Sequence, residues 1–247
     1  MVDQKSPTLD CPSCTEAKLH IKPFNQKAES KCKHKGKLTH IDLWGKYDIS
    51  SISGHQYYLL LVDNAMRYVT MYFLKGKHKA LQQVKNYLAH LQVRGMSTHA
   101  ICIDCGTEFI NKDLQLWCHA KGMEIQFTAP YSPSQNGVAE HMNCTLVELA
   151  CAMLIASKLP KYLWEQAVAH MAYVQNCAYT IAVSRHTPYE AWNGRKPNVL
   201  HLCEFGAPVW VLLQGQHVTR KILPKSKKHA YCSAAELSRV WVREKRK

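Results

Sequence analysis

Three acidic residues of this 247-residue chain stand where chemistry could be done: Asp42 in HIDLWG, Asp104 in ICIDCGTEF and Glu140 in APYSPSQNGVAEHMN (129–143). Each has an ordinary reading by itself. An aspartate at a strand end forms turns, and a glutamate in the first turn of a helix meets the positive end of the macrodipole, worth roughly 0.3–1 kcal/mol. The capping reading of Glu140 is incomplete, because a capping box needs Ser or Thr three residues earlier and Gly137 stands there. Together the three acids would be a different object. Clustered carboxylates raise one another's pKa unless a cation neutralises them, and hard oxygen donors select Mg2+ or Mn2+. Two such ions about 3.5–4 Å apart can activate an attacking oxygen and stabilise the leaving oxygen of a phosphodiester.

Such a cluster needs elements that converge on one sheet edge. KLTHIDLWG alternates like a strand, HQYYLLLVDN reads as a buried strand, and RYVTMYFLK as a third after the turn DNAMR. Three antiparallel strands are expected. From His78 to Arg94, Leu81, Val84, Leu88 and Leu91 recur at helical spacing up to Gly95, and THAICID follows as a short strand ending at Asp104. A helix through DLQLWCHAKG, a strand MEIQF, the loop before Glu140, its helix and a second long helix through YLWEQAVAHMAYVQNCAY complete the order. This order fits an α/β fold, a mixed sheet covered by helices. On the Glu140 helix, Val138, Met142, Leu146, Leu149 and Met153 share one stripe, which sets Glu140 nearly opposite it. Beyond about Thr187, TPYEAWNGRKP reads as turn-rich and FGAPVWVLL as the first strand of a small β module.

Lys plus Arg number 32 against 18 Asp plus Glu, a net charge of +14. That excess attracts polyanions, nucleic acid first, without choosing DNA over RNA. KCKHKGK (31–37) is the densest basic run and reads as an arm or linker. Eleven cysteines, an odd number without regular spacing, argue against a secreted disulfide framework and for reduced thiols. No run of eighteen apolar residues appears, and no membrane partner is expected.

The words THIDLWG, IDCGTEF, APYSPSQNGVAE, LWEQAV, TPYEAW and FGAPVWV follow one another in an order, with sixty-one and then thirty-five residues between the acids, that resembles the integrase region of copia-type LTR retrotransposon polyproteins. The similarity runs from about residue 11 to 231. It implies a ribonuclease H-like mixed sheet with flanking helices and a partial SH3-like module at the C-terminal end. The implied divisions are a truncated zinc-finger remnant and basic linker (1–36), an integrase catalytic core (37–186), and a linker and partial SH3-like module with a divergent tail (187–247). Asp42, Asp104 and Glu140 would be the catalytic, metal-binding triad for Mg2+ or Mn2+, Asp42 and Asp104 sharing one ion and Glu140 holding a second or completing the first. The implied activity is trimming of DNA 3′ ends by water, then attack of the freed 3′-hydroxyls on a target strand. Element ends and target DNA are the implied partners, with RNA as a further candidate, a homo-oligomer as the active form, and the nucleus as the location after cytoplasmic assembly.

Other residues take their places around this reading. Asp63 is explained by its turn, Glu148 lies two turns beyond Glu140, and Glu108 is close enough to Asp104 to support it from outside the ligand set. Gln135 and Asn136 would border the DNA, with turn chemistry as the alternative, and Tyr131 would contact DNA or pack. Lys31, Lys33, Lys35, Lys37 and His141 complete the DNA-binding candidates. Cys11 and Cys14 resemble half of a zinc site whose histidine pair lies upstream in the family, but only ten residues precede Cys11. A substitute from His20, Cys32 or His34 is the weaker alternative, so no bound zinc is expected. At His141, Cys144, Cys151, Cys177 and Cys203 the family's pattern accepts arginine. A competing expectation follows: a truncated, catalytically decayed remnant that still binds nucleic acid. A structure-specific nuclease on the same sheet is disfavoured by the similarity of so many separate words.

Overall fold

The computed structural model describes residue 32 and residues 34–104, 112–127, 136–212, 226–232 and 240–241. Contacts divide the chain into Met1–Ser30 and Lys31–Lys247, and every described residue lies in the second unit. Strands β1 (Leu38–Trp44), β2 (Tyr57–Asp63) and β3 (Val69–Leu74) form the expected antiparallel meander. After helix α1 (Ala80–Val93), β4 (Ala100–Ile103) pairs parallel to β1; after α2 (Lys112–Ala120), β5 (Glu124–Phe127) pairs parallel to β4. The sheet order is β3-β2-β1-β4-β5.

Both faces of this sheet are covered, which is why β2 reads YYLLLVD without polar alternation. Leu59 and Leu61 enter one core with Val84 and Leu88 of α1 and Leu114 of α2. Tyr58, Leu60 and Val62 enter the other, with Leu146 and Ala150 of α3 (Gly137–Ser157) and Val168 of α4 (Trp164–Cys177). Side chains alternate along a strand. Since Ile41 belongs to the first core, its neighbours His40 and Asp42 turn to the α3 face, and that alternation positions the site.

Helix α3 is rotated from its expected orientation. Its buried residues are Ala139, Asn143, Leu146 and Ala150, while Leu149 is 42% exposed. Two alanines let the helix lie close to the sheet, and Asn143 is acceptable in the seam because its polar atoms are paired there. The seam is turned by about 70° from the expected stripe at 100° per residue, so Glu140 stands at its rim, half-buried, rather than opposite it.

The described residues of the basic segment read as an arm or linker are tied to the core by hydrogen bonds. Cys32 N–H donates to Asn64 Oδ1 at 3.2 Å, Gly36 N–H to Asp63 Oδ1 at 2.7 Å, and Lys35 Nζ to the Trp192 carbonyl at 3.0 Å. Gly36 has φ +76°, and a Cβ there would stand 3.1 Å from the Met96 side chain. Asp63 is a turn residue as expected: it is fully buried, and its second oxygen accepts from Met66 N–H at 2.7 Å.

TPYEAWNG, expected to be turn-rich, contains helix α5 (Pro188–Asn193). Its signals are all present in the sequence. Thr187 Oγ1 accepts from Glu190 N–H at 3.0 Å, Pro188 fills the first turn, and Gly194 closes the helix at φ +73°. The short helix delivers Trp192 into the first core, where it stacks on Tyr68 at 5.1 Å. Beyond it, β6 (Pro208–Leu212), β7 (Ser226–Tyr231) and β8 (Val240–Trp241) form a three-stranded antiparallel sheet. β8 comes from the tail that looked divergent. Phe205 and Ala230 root this sheet in the α3–α4 core.

Candidate active site

Ile41 of β1 faces Ile103 of β4, so one step further along the two parallel strands sets Asp42 and Asp104 side by side. Carboxyl ends of parallel strands are where open α/β sheets place their ligand sites. Glu140, in the first turn of α3, faces the same place: the charges of Asp42 and Asp104 both push its carboxyl pKa upward, after the larger effect of burial, with His141 opposing. Burial likewise raises Asp42. The Asn143 hydrogen bond and the Leu43 backbone N–H hold it back, and Asp104 adds to the rise. The structure thus brings the three acids into one electrostatic neighbourhood from β1, the end of β4, and α3.

The polar support around Asp42 is well defined. Asn143 Nδ2 donates to Asp42 Oδ2 at 2.7 Å, and the buried Tyr58 hydroxyl donates to Asn143 Oδ1. Burial and the Asp42 charge push the Tyr58 phenol well above its ordinary range, so it stays a neutral donor. Cys102, beneath the site on β4, is pushed up to about 11 by burial and by Glu140, so its thiol is neutral at physiological pH.

Three neighbouring carboxylates are a hard-oxygen donor set of the kind a divalent cation neutralises. The donor chemistry therefore fits Mg2+ or Mn2+. Among the described residues, no group of three His, Cys, Asp or Glu side chains is close enough to hold one ion. The acids are neighbours rather than a closed cage.

Of the other candidates, Glu148 is exposed two turns along α3, and His141 is exposed beside Glu140. Asn136, expected beside DNA, is instead fully buried against β1. The reason is its position at the start of α3, where the helix docks on the sheet. Lys37 bonds His99 and precedes β1, five residues and roughly 16 Å from Asp42 at the rise of a strand. Lys35 is spent on the C-terminal end of α5. Cys11, Cys14, Lys31, Lys33, Glu108, Tyr131 and Gln135 lie outside the described residues.

Sequence reasoning missed His40, Tyr58, Asn64 and Asn143. A signal existed for part of this set: Asn136, Glu140 and Asn143 recur at i, i+4 and i+7, a polar stripe at the start of an apolar helix. His40 lies two residues before Asp42 on the same strand face. Tyr58 and Asn64 carry no local signal, since only the pairing of β1 with β2 brings them near.

No family model matches the chain. It is 30% identical over 197 residues, 79% of its length, to the retrovirus-related Pol polyprotein from transposon TNT 1-94 of Nicotiana tabacum, covering 15% of that polyprotein. It is 26% identical to the Pol polyproteins from transposons RE2 and RE1 of Arabidopsis thaliana, over 90% and 85% of the chain and 15% and 14% of theirs. The chain thus spans about 15% of the length of the curated relatives it matches. Among solved structures, a chain of the simian T-cell lymphotropic virus intasome in complex with PP2A regulatory subunit B56 gamma shares the fold, with a TM-score of 0.57 at 16% identity, covering 89% of this chain and 77% of that one. Over most of its length the chain is similar to a stretch of the Pol polyproteins of copia-type plant transposons, and it shares its fold, a mixed five-stranded sheet with flanking helices, with that intasome chain.

Proposed function

We propose that this chain is an integrase catalytic region that trims and joins DNA strands with a divalent ion, Mg2+ or Mn2+, as cofactor. The observation that carries the reading is the placement of Asp42 on β1 and Asp104 at the end of the adjacent parallel strand β4 with Glu140 on the facing helix, Asp42 and Glu140 each raised first by burial and then by the charge of their acidic neighbours. Those three residues would hold the ion. When bound, it would supply charge neutralisation and Lewis acidity at the reacting phosphodiester. The chain's own work is positional and electrostatic. Asn143, itself held by Tyr58, fixes the Asp42 carboxylate, and α3 presents Glu140 to the sheet. The +14 charge draws in the DNA backbone, with His141 beside the acids as a phosphate donor when protonated. Element ends and target DNA are the proposed partners, a homo-oligomer the proposed active form, and the nucleus the proposed location.

The experiment is a strand-transfer assay on oligonucleotide ends with Mg2+ or Mn2+. Joined product that requires the metal supports the reading, and DNA binding with no joining under either ion opposes it. One observation favours a second reading, a decayed nucleic-acid-binding remnant. Cys144, one turn past Glu140, and Cys151 are exposed on α3, where guanidinium groups would give fixed charge and bidentate phosphate contacts. Under that reading, His141→Arg with Cys144→Arg raises DNA affinity and strand transfer together; no gain in either removes it.

A further inference from the structure

Asn136 begins α3: its carbonyl accepts from the N–H groups of Ala139 at 3.0 Å and Glu140 at 3.2 Å. A residue in this place ordinarily turns its side chain back to cap its own helix. Asn136 makes no such bond. Its side chain reaches across to β1 instead, where Nδ2 donates to the Ile41 carbonyl at 3.1 Å and Oδ1 lies 3.3 Å from His40 Nδ1. That carbonyl belongs to the peptide bond leading into Asp42. On the far side of the imidazole, Asn64 Nδ2 lies 2.9 Å from His40 Nε2.

The protons in this chain of bonds are determined by its ends. Asn64 Oδ1 accepts from Cys32 N–H, so the Asn64 amide must present its NH2 to His40. Asn136 Nδ2 donates to Ile41, so the Asn136 amide must present its oxygen. Only the neutral imidazole with its proton on Nδ1 satisfies both. Asn136, His40 and Asn64 are 0%, 5% and 8% exposed, so water cannot replace these bonds cheaply.

We infer that His40 is a positioning residue: it touches neither DNA nor metal, but braces Asn136 between Asn64 and the backbone of β1, and so sets where Glu140 stands relative to Asp42. The inference rests on the reading of Asp42, Asp104 and Glu140 as the site. Its geometry joins the two acid-bearing elements through one imidazole, two residues from Asp42 on the strand side and four residues from Glu140 on the helix side. A cavity at this point would free the first turn of α3 while leaving the rest of the helix held by Leu146 and Ala150.

The test compares the full chain with His40→Ala, His40→Gln and Asn136→Ala, reading amide hydrogen exchange, Mn2+ affinity and urea stability. Glutamine can accept from Asn64 and donate to Asn136 through one amide, as the imidazole does. Relative to any change in global stability, His40→Ala and Asn136→Ala are expected to speed exchange at 137–143 by about tenfold, the scale of one buried polar group left unpaired, without speeding β2. Mn2+ affinity is expected to fall by a similar factor, and His40→Gln to restore both readouts to within about threefold. The proposal is overturned if exchange at 137–143 is unchanged in Asn136→Ala, if β2 and α3 loosen equally, or if His40→Gln is as impaired as His40→Ala. Should His40→Ala fail to fold, Asn136→Ala and His40→Gln decide by the same criteria. Should the wild type bind no Mn2+, the site reading fails while the exchange arm still judges the brace.

Discussion

Replacing Asn143 by alanine removes one amide that serves two partners, and the cost can be built from them. The 2.7 Å bond to Asp42 Oδ2 is charge-assisted, and hydrogen bonds to charged groups contribute about 1.5–3 kcal/mol. The Tyr58 hydroxyl, fully buried, loses its acceptor, and a buried polar group left unpaired costs about 1–3 kcal/mol. Against this, alanine is the better helix former by roughly 0.5–0.7 kcal/mol. Asp42 is only half-buried, so solvent recovers part of the first loss, and the expected net cost is about 2–4 kcal/mol. At about 2–4 °C per kcal/mol for a domain of this size, the melting temperature should fall by about 4–16 °C. Urea unfolding of the wild type, Asn143→Ala, Tyr58→Phe and the double variant gives the assay. Phenylalanine removes the stranded hydroxyl, so the double variant should be more stable than the summed single effects predict. A cost under about 0.5 kcal/mol for Asn143→Ala, or simple additivity with Tyr58→Phe, would refute the reasoning.

Asp42 offers a second test through pH. Its folded pKa lies above the ordinary 3.8, so between those two values the folded state binds more proton than the unfolded one, and stability falls as pH rises through the window. Asp42→Asn should therefore stabilise the metal-free protein at pH 7, with the gain shrinking below about pH 4; urea melts giving the same difference at both pH values would contradict this. Thr187→Ala should cost about 1 kcal/mol by removing the cap of α5, as read by denaturant midpoint, and an unchanged midpoint would show the cap to be idle. DNA affinity should fall with added salt by about 0.9 log units per phosphate neutralised for each tenfold rise in salt, and neutralising Lys31, Lys33, Lys35 and Lys37 together should reduce that slope. Because Lys35 and Lys37 already have partners in the fold, Lys31 and Lys33 should account for most of the reduction; an unchanged slope would remove the segment from the DNA interface.

What the sequence disclosed and what it hid divide along physical lines. Periodicity found β1 to β5 and the four long helices, because Leu59, Leu61, Val84 and Leu88 repeat with the period of their own element. Asp42 and Asp104 stood out as acids in apolar surroundings and Glu140 as an acid just after a polar loop with no capping partner, and β-pairing explains why the first two are neighbours. The face of α3 was misjudged because Ala139 and Ala150 are weak hydrophobic signals that matter through close approach to the sheet, whereas Leu149 is a strong signal that the fold leaves exposed. The roles of Tyr58 and Asn64 depend on strand register and were not legible from local pattern. Asn136 was misplaced at the DNA because its loop chemistry suggested exposure, while its actual partners, His40 and Ile41, lie about ninety-five residues away in the chain. Helix α5 was missed although Thr187, Pro188, Glu190 and Gly194 spell out both of its ends.

The account's central claim is that Asp42, Asp104 and Glu140 make a metal-dependent strand-transfer site, and Asp104→Asn tests it most directly because it removes a charge with almost no change in volume. Wild type and variant, matched for folded content by circular dichroism, would be given the same DNA ends and Mn2+. The account predicts metal-dependent joined product from the wild type and only background from the variant. Equal product from both, or product that forms without a divalent ion, would contradict it.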